Sequence, residues 1–449
     1  MERLMSFKRS LSYSLPCRFL KAPKFDVKFV TNNLHLYEKS IRNRNLVDGS
    51  KLLEGLQALP ELYQNEKVLL QKISDIQSRR KSLEGLIKVD KSKIEELGEE
   101  FKHLKEAFKT LSDELNTSAT KSFEICSSLP NLISSDAPLT KPEIIQWINP
   151  KESLPSDERR HHVDIMVTKN MLDLKTASNI SGTSWYYLLN EGAELEHALV
   201  SFAIAKAKEA GFQICIPPSI VRDEIIDACG FRPRDMNNEQ QIYHIDKSQL
   251  GLTATAEISL AGLGVNKVVD LCKGPKKIAG VSRSYRSEAG ARGKDTKGLY
   301  RVHEFTKVEL FCWSKPKDSE NVLEELKDFQ IDLIKSLGLT AKVLNMPTND
   351  LGAPAYKKYD IEAWMPGRGS FGEITSTSNC LDFQSRRMNT KFKNEYTGKL
   401  EFVHTLNGTA MAVPRMILSL IENFYDPNNK RISIPDCLRQ YMGGKEYIQ

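Results

Sequence analysis

The sequence predicts an α+β protein in two parts, an N-terminal antiparallel helical hairpin followed by a mixed domain built on an antiparallel β-sheet flanked by helices. Three observations carry this reading. Ile94, Leu97, Phe101, Leu104, Phe108, Leu111 and Leu115 recur at alternating steps of three and four, the a/d seam of a coiled coil. The stretch "SSLPNLISSDAPLTKP" then brings Pro130, Pro138 and Pro142, which stop a helix. Beyond about residue 155, helical stretches such as Glu194 to Ala210 mix with short alternating strands, and neither a βαβ repeat nor a GxGxxG turn appears.

From the N-terminus, residues 1–24 hold six Lys/Arg and one acid among Ser, Leu, Met and Phe. That make-up, without a secretory apolar core, is expected of a mitochondrial presequence, with the mitochondrial matrix as the expected location, although a disordered basic tail has the same composition. Residues 25–130 form the helical arm, with the coiled coil at about 52–118. Leu62, Leu69, Ile73, Ile76 and Leu83 follow the register of the second stripe less strictly. Each stripe needs a partner, and the short spacing between them favours a hairpin turning near Gly85 to Asp90. Arms of about 30 residues would reach roughly 45 Å, making a projecting arm. Its tip carries Arg79, Arg80, Lys81, Lys88, Lys91 and Lys93 against Glu84 and Asp90, which suits either a solvated surface or a phosphate-contacting patch.

Residues 131–154 read as a linker and 155–449 as the mixed, sheet-based domain. The formal charge of +6 suits a polyanionic partner, and no apolar run approaches the roughly 18 residues of a membrane helix. The eight cysteines are scattered without a CxxC, so neither a zinc site nor a disulfide framework is expected. There is no P-loop, so a bound nucleotide would need something other than a Walker lysine.

The stretch "YRSEAGARGKDTKGLYRVHEFTKVELF", Tyr285 to Phe311, reads as two strands joined by a long glycine-bearing loop. Alternation puts Arg286 and Glu288 on one face of the first strand, and Arg301, His303, Phe305, Lys307 and Glu309 on one face of the second. Such a face offers guanidinium groups for carboxylate or phosphate, a ring for a base, and carboxylates for an amine or hydroxyl. A solvent-facing strand laced with cross-strand ion pairs has the same pattern.

The segments "YRSEAG", "GLYRVHEFTKVE", "TAE", "KKYDIEAWMP", "FGEITSTSNCLDFQSRR" and "HTLNGTAMAVPR" occur in this order. Together they closely resemble the signatures of the seryl-tRNA synthetases, a class II aminoacyl-tRNA synthetase family, and the resemblance spans nearly the whole chain. "FGEITSTSNC" and "TAMAVPR" look most like the mitochondrial branch. The resemblance implies a six- to seven-stranded antiparallel sheet and an arm that binds tRNA(Ser). It also implies a homodimer joined through the segment from Glu194 to Val221, with its Pro218.

It further implies ATP, L-serine and Mg²⁺ as ligands. Arg286 resembles the arginine that clamps the serine carboxylate and the α-phosphate of ATP. Glu288 looks like the glutamate that reads the adenine amine, and Phe305 like the ring on which adenine stacks. Arg301 and Arg415 match the arginines of the γ-phosphate, and Glu373 and Ser376 fall where magnesium binds. Thr255 and Glu257 match ligands of the serine ammonium, while Glu309, Asn407 and Thr409 fall around its hydroxyl. Arg286, Arg415 and Glu373 are thereby the catalytic set. Arg79, Arg80, Lys81, Lys88 and Lys91 are the arm residues for tRNA, and Arg292, Lys294, Asp295 and Lys297 face its acceptor end.

The implied reaction is ATP-dependent serine–tRNA ligation. Serine carboxylate attacks the α-phosphorus, fixed cations stabilise the charge that develops, and the tRNA 3′-hydroxyl then takes the seryl group. The alternative is a synthetase-like paralogue that has lost its chemistry and keeps an RNA-binding or structural role; it should lack several ligand side chains. Glu304 stands where the family usually has Gln, and by alternation it points away from the ligand face.

Overall fold

The computed structural model describes residues 19–20, 23–90, 92, 94–231, 241–288 and 298–449. Most of the expected presequence, Lys91, Lys93 and the loop residues Arg292, Lys294, Asp295 and Lys297 lie outside the described residues. Two compact units divide between Pro130 and Asn131, with Leu20–Pro23 counted to the second.

The first unit is helical. Helices α1 (Val27–Asn32) and α2 (Leu34–Arg44) lead into two long helices, α3 (Gly49–Val89) and α4 (Ile94–Ser128). Asp26 caps the first, its carboxylate accepting from Phe29 N at 2.8 Å. On α4, Leu97, Phe101, Leu104, Phe108 and Leu111 are half-buried and Leu115 is buried. Phe108, Leu111 and Leu115 pack against Leu69 and Ile73 of α3. This is the antiparallel hairpin that the heptad stepping predicts, with one difference. Helix α3 runs through Gly85 as far as Val89, so only the Asp90 end of the expected turn lies outside the helix. Gly85 faces open space, and its helix penalty of about 1 kcal/mol is outweighed by burial of neighbours such as Leu83.

The second unit is built on one eight-stranded sheet. Its strands are β1 (Glu143–Ile148), β2 (Gln213–Cys215), β3 (Lys276–Tyr285), β4 (Glu304–Ser314), β5 (Ala341–Asn345), β6 (Lys357–Met365), β7 (Ser370–Asn379) and β8 (His404–Ala412). They lie in the order β1-β5-β6-β7-β8-β4-β3-β2. Every neighbouring pair is antiparallel except β2 with β3, which is parallel. The sheet is thus wider than the resemblance implies. One edge is supplied by Glu143–Ile148, within the stretch read as a linker, and the other by a three-residue strand.

Alternation on β4 sorts the two faces. Val308 and Leu310 enter the main core with Leu199 and Phe202 of α6 (Asn190–Glu209), Leu326 and Ile334 of α8 (Ser319–Ser336), and Ile417 and Ile421 of α10 (Val413–Phe424). Phe305, Lys307 and Glu309 point to the opposite face. There the short helix α7 (Ala256–Gly262) packs Ile258 and Leu260 beside Phe311 and Trp313, and α9 (Phe383–Met388) adds Met388. Gly280 sits opposite Glu309, and a Cβ there would meet Leu260 at 2.9 Å, so α7 can approach only because that position is bare.

Candidate active site

A cleft of about 530 Å³ opens on the face of the sheet away from the main core. Arg286, Glu288, Arg301, Phe305, Glu373, Ser376, Thr409 and Arg415 all line it, with Tyr300 and Lys307. These side chains come from five places in the chain, and the sheet brings them together. A larger cleft bounded by Trp147, Phe212 and Lys335 lies elsewhere and holds none of them.

Arg286 follows the last residue of β3, where its amide donates to His303 O at 2.9 Å. Its guanidinium lies 5.3 Å from the centre of the Phe305 ring and reaches Ala254 O at 3.4 Å. Burial and the facing Arg415 push its pKa down from the ordinary guanidinium value. An anion entering here would relieve that repulsion. Arg301 donates to Glu288 at 3.2 Å, and Glu288 sits in the left-handed region at φ 47°.

Strict alternation misplaces His303. Strand β4 begins at Glu304, so residues 301–303 do not follow its pleat. His303 stacks on Trp185 at 5.6 Å and meets Tyr243 Oη at 2.8 Å instead of facing the cleft. Glu304 lies on the far face, 3.7 Å from Arg283.

Glu373 and Ser376 are three apart on β7, which ordinary alternation would put on opposite faces. A bulge brings them to one. Thr375 pairs with Ile361 but Glu373 pairs with Glu362, leaving Ile374 as the extra residue. Ile374 turns into the core, while Glu373 and Ser376 both reach the cleft. Arg415, near the start of α10, donates to the Glu373 carboxylate at 3.2 Å and to its carbonyl at 3.0 Å. Burial opposes ionisation of Glu373, yet Arg415, Lys358 and Arg286 hold its pKa at about 2. A fixed carboxylate beside a hydroxyl suits a hard divalent cation.

Thr255, Glu257 and Glu309 are buried and, with the half-buried Asn407, form a cluster joined to the cleft by Lys307. The Lys307 ammonium lies 3.1 Å from Thr255 Oγ1, to which it donates, and 2.5 Å from Glu309 Oε2. Glu257 accepts from Asn407 at 2.9 Å and from Gln384 at 2.7 Å. Burial and then the neighbouring Glu309 raise its pKa to about 7. Thr409 stands between Glu309 and β7, its carbonyl accepting from Gln330 at 2.9 Å.

Lys307 and Gln384 were not among the predicted site residues. Lys307 shares the parity of Phe305 and Glu309, and that was the usable signal. Gln384 lies in "DFQSRR" with no periodic cue, because α9 alone places it.

Among the predicted tRNA contacts, Arg79 is held by Glu100 at 2.7 and 3.1 Å. Arg80 lies half-buried against the rings of Phe101 and Phe108, at 5.5 and 5.8 Å. Lys81 and Lys88 are exposed.

A family model described as the tRNA synthetase class II core domain (G, H, P, S and T) matches residues 241–424. A second, described as the seryl-tRNA synthetase N-terminal domain, matches residues 25–133. The mitochondrial serine–tRNA ligase of Saccharomyces cerevisiae is 59% identical over 446 residues, covering 99% of this chain and 100% of its own. The serine–tRNA ligase of Borrelia garinii is 40% identical over 435 residues, covering 93% of this chain and 98% of its own. Among solved structures, the seryl-tRNA synthetase of Pyrococcus horikoshii complexed with ATP has a TM-score of 0.85 and 31% identity. That match covers 95% of this chain and 99% of the other.

Proposed function

The chain belongs to the seryl-tRNA synthetases of class II, and from that membership we propose that it activates serine with ATP and transfers the seryl group to tRNA(Ser) in the mitochondrial matrix. The observation that carries the reading is the convergence of Arg286, Arg415 and Glu373 on one cleft, with Lys307 and Glu309 buried beside it. The test is serine-dependent ATP–pyrophosphate exchange followed by charging of mitochondrial tRNA. A purified protein that gives no exchange with serine would sink the proposal.

In this reading ATP lies along the cleft, with adenine on Phe305, its amine at Glu288, and the γ-phosphate at Arg301 and Arg415. Serine occupies the cluster behind Lys307, its ammonium at Thr255 and Glu257 and its hydroxyl at Glu309, Asn407 and Thr409. Arg286, between the two, takes both the carboxylate and the α-phosphate. Holding nucleophile and phosphorus in line supplies most of the rate, and Arg286 stabilises the charge that builds on the phosphate oxygens. Glu373 and Ser376 would hold Mg²⁺, which neutralises phosphate charge when bound. No side chain is required as a nucleophile.

Glu257 gives this site a pH dependence. Its pKa of about 7 means that the carboxyl is protonated below that pH, whereas the serine ammonium needs the carboxylate. The KM for serine should therefore rise about tenfold from pH 8 to pH 6. A serine KM flat across this range would contradict the assignment.

For the arm, the exposed Lys81 and Lys88 are the better phosphate contacts, since Arg79 and Arg80 are already engaged within the hairpin. Lys81→Ala with Lys88→Ala should raise the KM for tRNA roughly tenfold. Serine activation should be unaltered; equal loss in both assays would refute the arm assignment.

A homodimer is supported by Ile214, Ile216 and Ile220, whose exposures of 38%, 86% and 47% leave apolar side chains uncovered around Pro218. Sedimentation as a monomer at micromolar concentration would contradict it. The matrix location rests on the basic N-terminus and on the mitochondrial relative. An intact Met1 on protein recovered from cytosol would end that claim.

A further inference from the structure

His162 opens helix α5 (His162–Thr168) and is 3% exposed. Its Nδ1 lies 2.8 Å from Oε1 of Glu422, which is itself fully buried near the end of α10. Its Nε2 lies 3.2 Å from the amide nitrogen of Leu299. An amide N–H can only donate, so Nε2 must be the acceptor and Nδ1 carries the proton that goes to Glu422. Burial lowers the pKa of His162 against the opposing pull of Glu422, in keeping with that neutral tautomer.

The contact falls at a decisive point of the chain. Leu299, Tyr300 and Arg301 line the ATP cleft in succession. Gly298, just before them, has φ 76°, and a Cβ there would lie 2.2 Å from His162 Nε2, so only glycine lets the ring come this close. The Tyr300 carbonyl accepts from Arg415 Nε at 3.2 Å, and the Arg415 guanidinium lies 4.6 Å from the Tyr300 ring. Glu422 also accepts from the Arg368 amide at 3.0 Å, and the Arg368 guanidinium lies 3.7 Å from that same ring. One buried imidazole–carboxylate pair thus holds both the backbone before Arg301 and a residue that packs on Tyr300.

We propose that His162 and Glu422 are positioning residues for ATP: they touch no substrate, but through Leu299 and Tyr300 they set where Arg301 and Arg415 stand when the triphosphate arrives. This rests on the reading of the cleft as the ATP site. Removing the Nε2 acceptor leaves the amide of the fully buried Leu299 unpaired, and residues 299–301 shift to find another partner. The phosphate clamp is then misplaced, while the serine cluster around Glu309 and Glu257 is not.

The test separates the two nitrogens. In His162→Asn the amide occupies the Nδ1 position and keeps Glu422, but nothing accepts from Leu299. In His162→Gln the side-chain oxygen reaches the Nε2 position and accepts from Leu299, while Glu422 loses its imidazole donor and keeps the Arg368 amide. In ATP–pyrophosphate exchange, His162→Asn should raise the KM for ATP about tenfold with the serine KM little changed. His162→Gln should return the ATP KM close to wild type despite a lower Tm. Equal ATP KM values in the two variants, or parallel changes in the ATP and serine KM, would overturn the proposal and leave the pair a merely structural one. Should His162→Asn not fold, hydrogen exchange of the wild-type Leu299 amide without ATP reads the same bond. Protection supports the proposal, and exchange at the rate of an open amide overturns it. Wild-type protein without serine-dependent exchange would instead fail the reading of the cleft itself.

Discussion

Arg286→Ala should lower kcat/KM for serine-dependent ATP–pyrophosphate exchange by about a thousandfold, at the upper end of the loss from one preorganised charge donor. The expectation follows from its surroundings. The guanidinium stands beside Phe305 in a partly buried cleft, where burial and Arg415 outweigh the attraction of Glu288, Glu373 and Glu309. A cation kept under repulsion is poised for an anion, and both the serine carboxylate and the α-phosphate are anions. Arg286→Lys keeps the charge but not the planar fork, and should recover only part of the loss. Because the Ala variant removes a like-charge neighbour of Arg415 but also a cation near Glu373, its Tm in the absence of ligands should stay close to wild type. Exchange within about tenfold of wild type for Arg286→Ala would remove the residue from the catalytic set.

Glu309→Gln should raise the serine KM by about two orders of magnitude and narrow the preference for serine over alanine. Glu309 is 1% exposed, and the ammonium of Lys307 lies 2.5 Å away. On the proposed placement serine would satisfy this carboxylate through its hydroxyl, whereas alanine would leave part of its capacity unmet, and that difference would be the source of discrimination. The substitution also leaves the Lys307 charge without its partner, costing about 3 kcal/mol of stability. Lys307→Met combined with Glu309→Leu replaces the buried pair by apolar groups and should melt above Glu309→Gln, while showing no serine exchange. A double variant that retains exchange would show that the pair is structural. Comparison of Ser and Ala in the same assay checks the specificity claim directly.

The helical hairpin was legible because period itself encodes it. The residues from Leu97 to Leu115 sit at a/d spacing, and the structure turns that face inward. The expected turn, Gly85 to Asp90, began within the helix, because a glycine inside a long helix costs less than the neighbouring packing returns, and α3 ends only at Val89. In the cleft, the motifs supplied the side chains but not the local backbone. His303 leaves the ligand face because β4 starts one residue later, and Glu373 joins Ser376 only through a bulge. Neither event leaves a trace in period-two alternation. Lys307 was visible by parity, whereas Gln384 and His162 become relevant only through partners far along the chain, Glu257 and Leu299.

The bulge at Ile374 also sets a rule about length. A substitution on β7 alters one side chain, but loss of a single residue there would restore regular pairing with β6 and rotate everything on one side of the deletion by half a pleat. The straightened strand would be the more regular one, and it would carry either Glu373 or Ser376 into the hydrophobic core. In a library of one-residue deletions, those in the exposed turn around Gly398 should be tolerated, and those between Glu373 and Ser376 should abolish activity whichever residue is removed. Function here depends on the count of residues in a strand as much as on their identity.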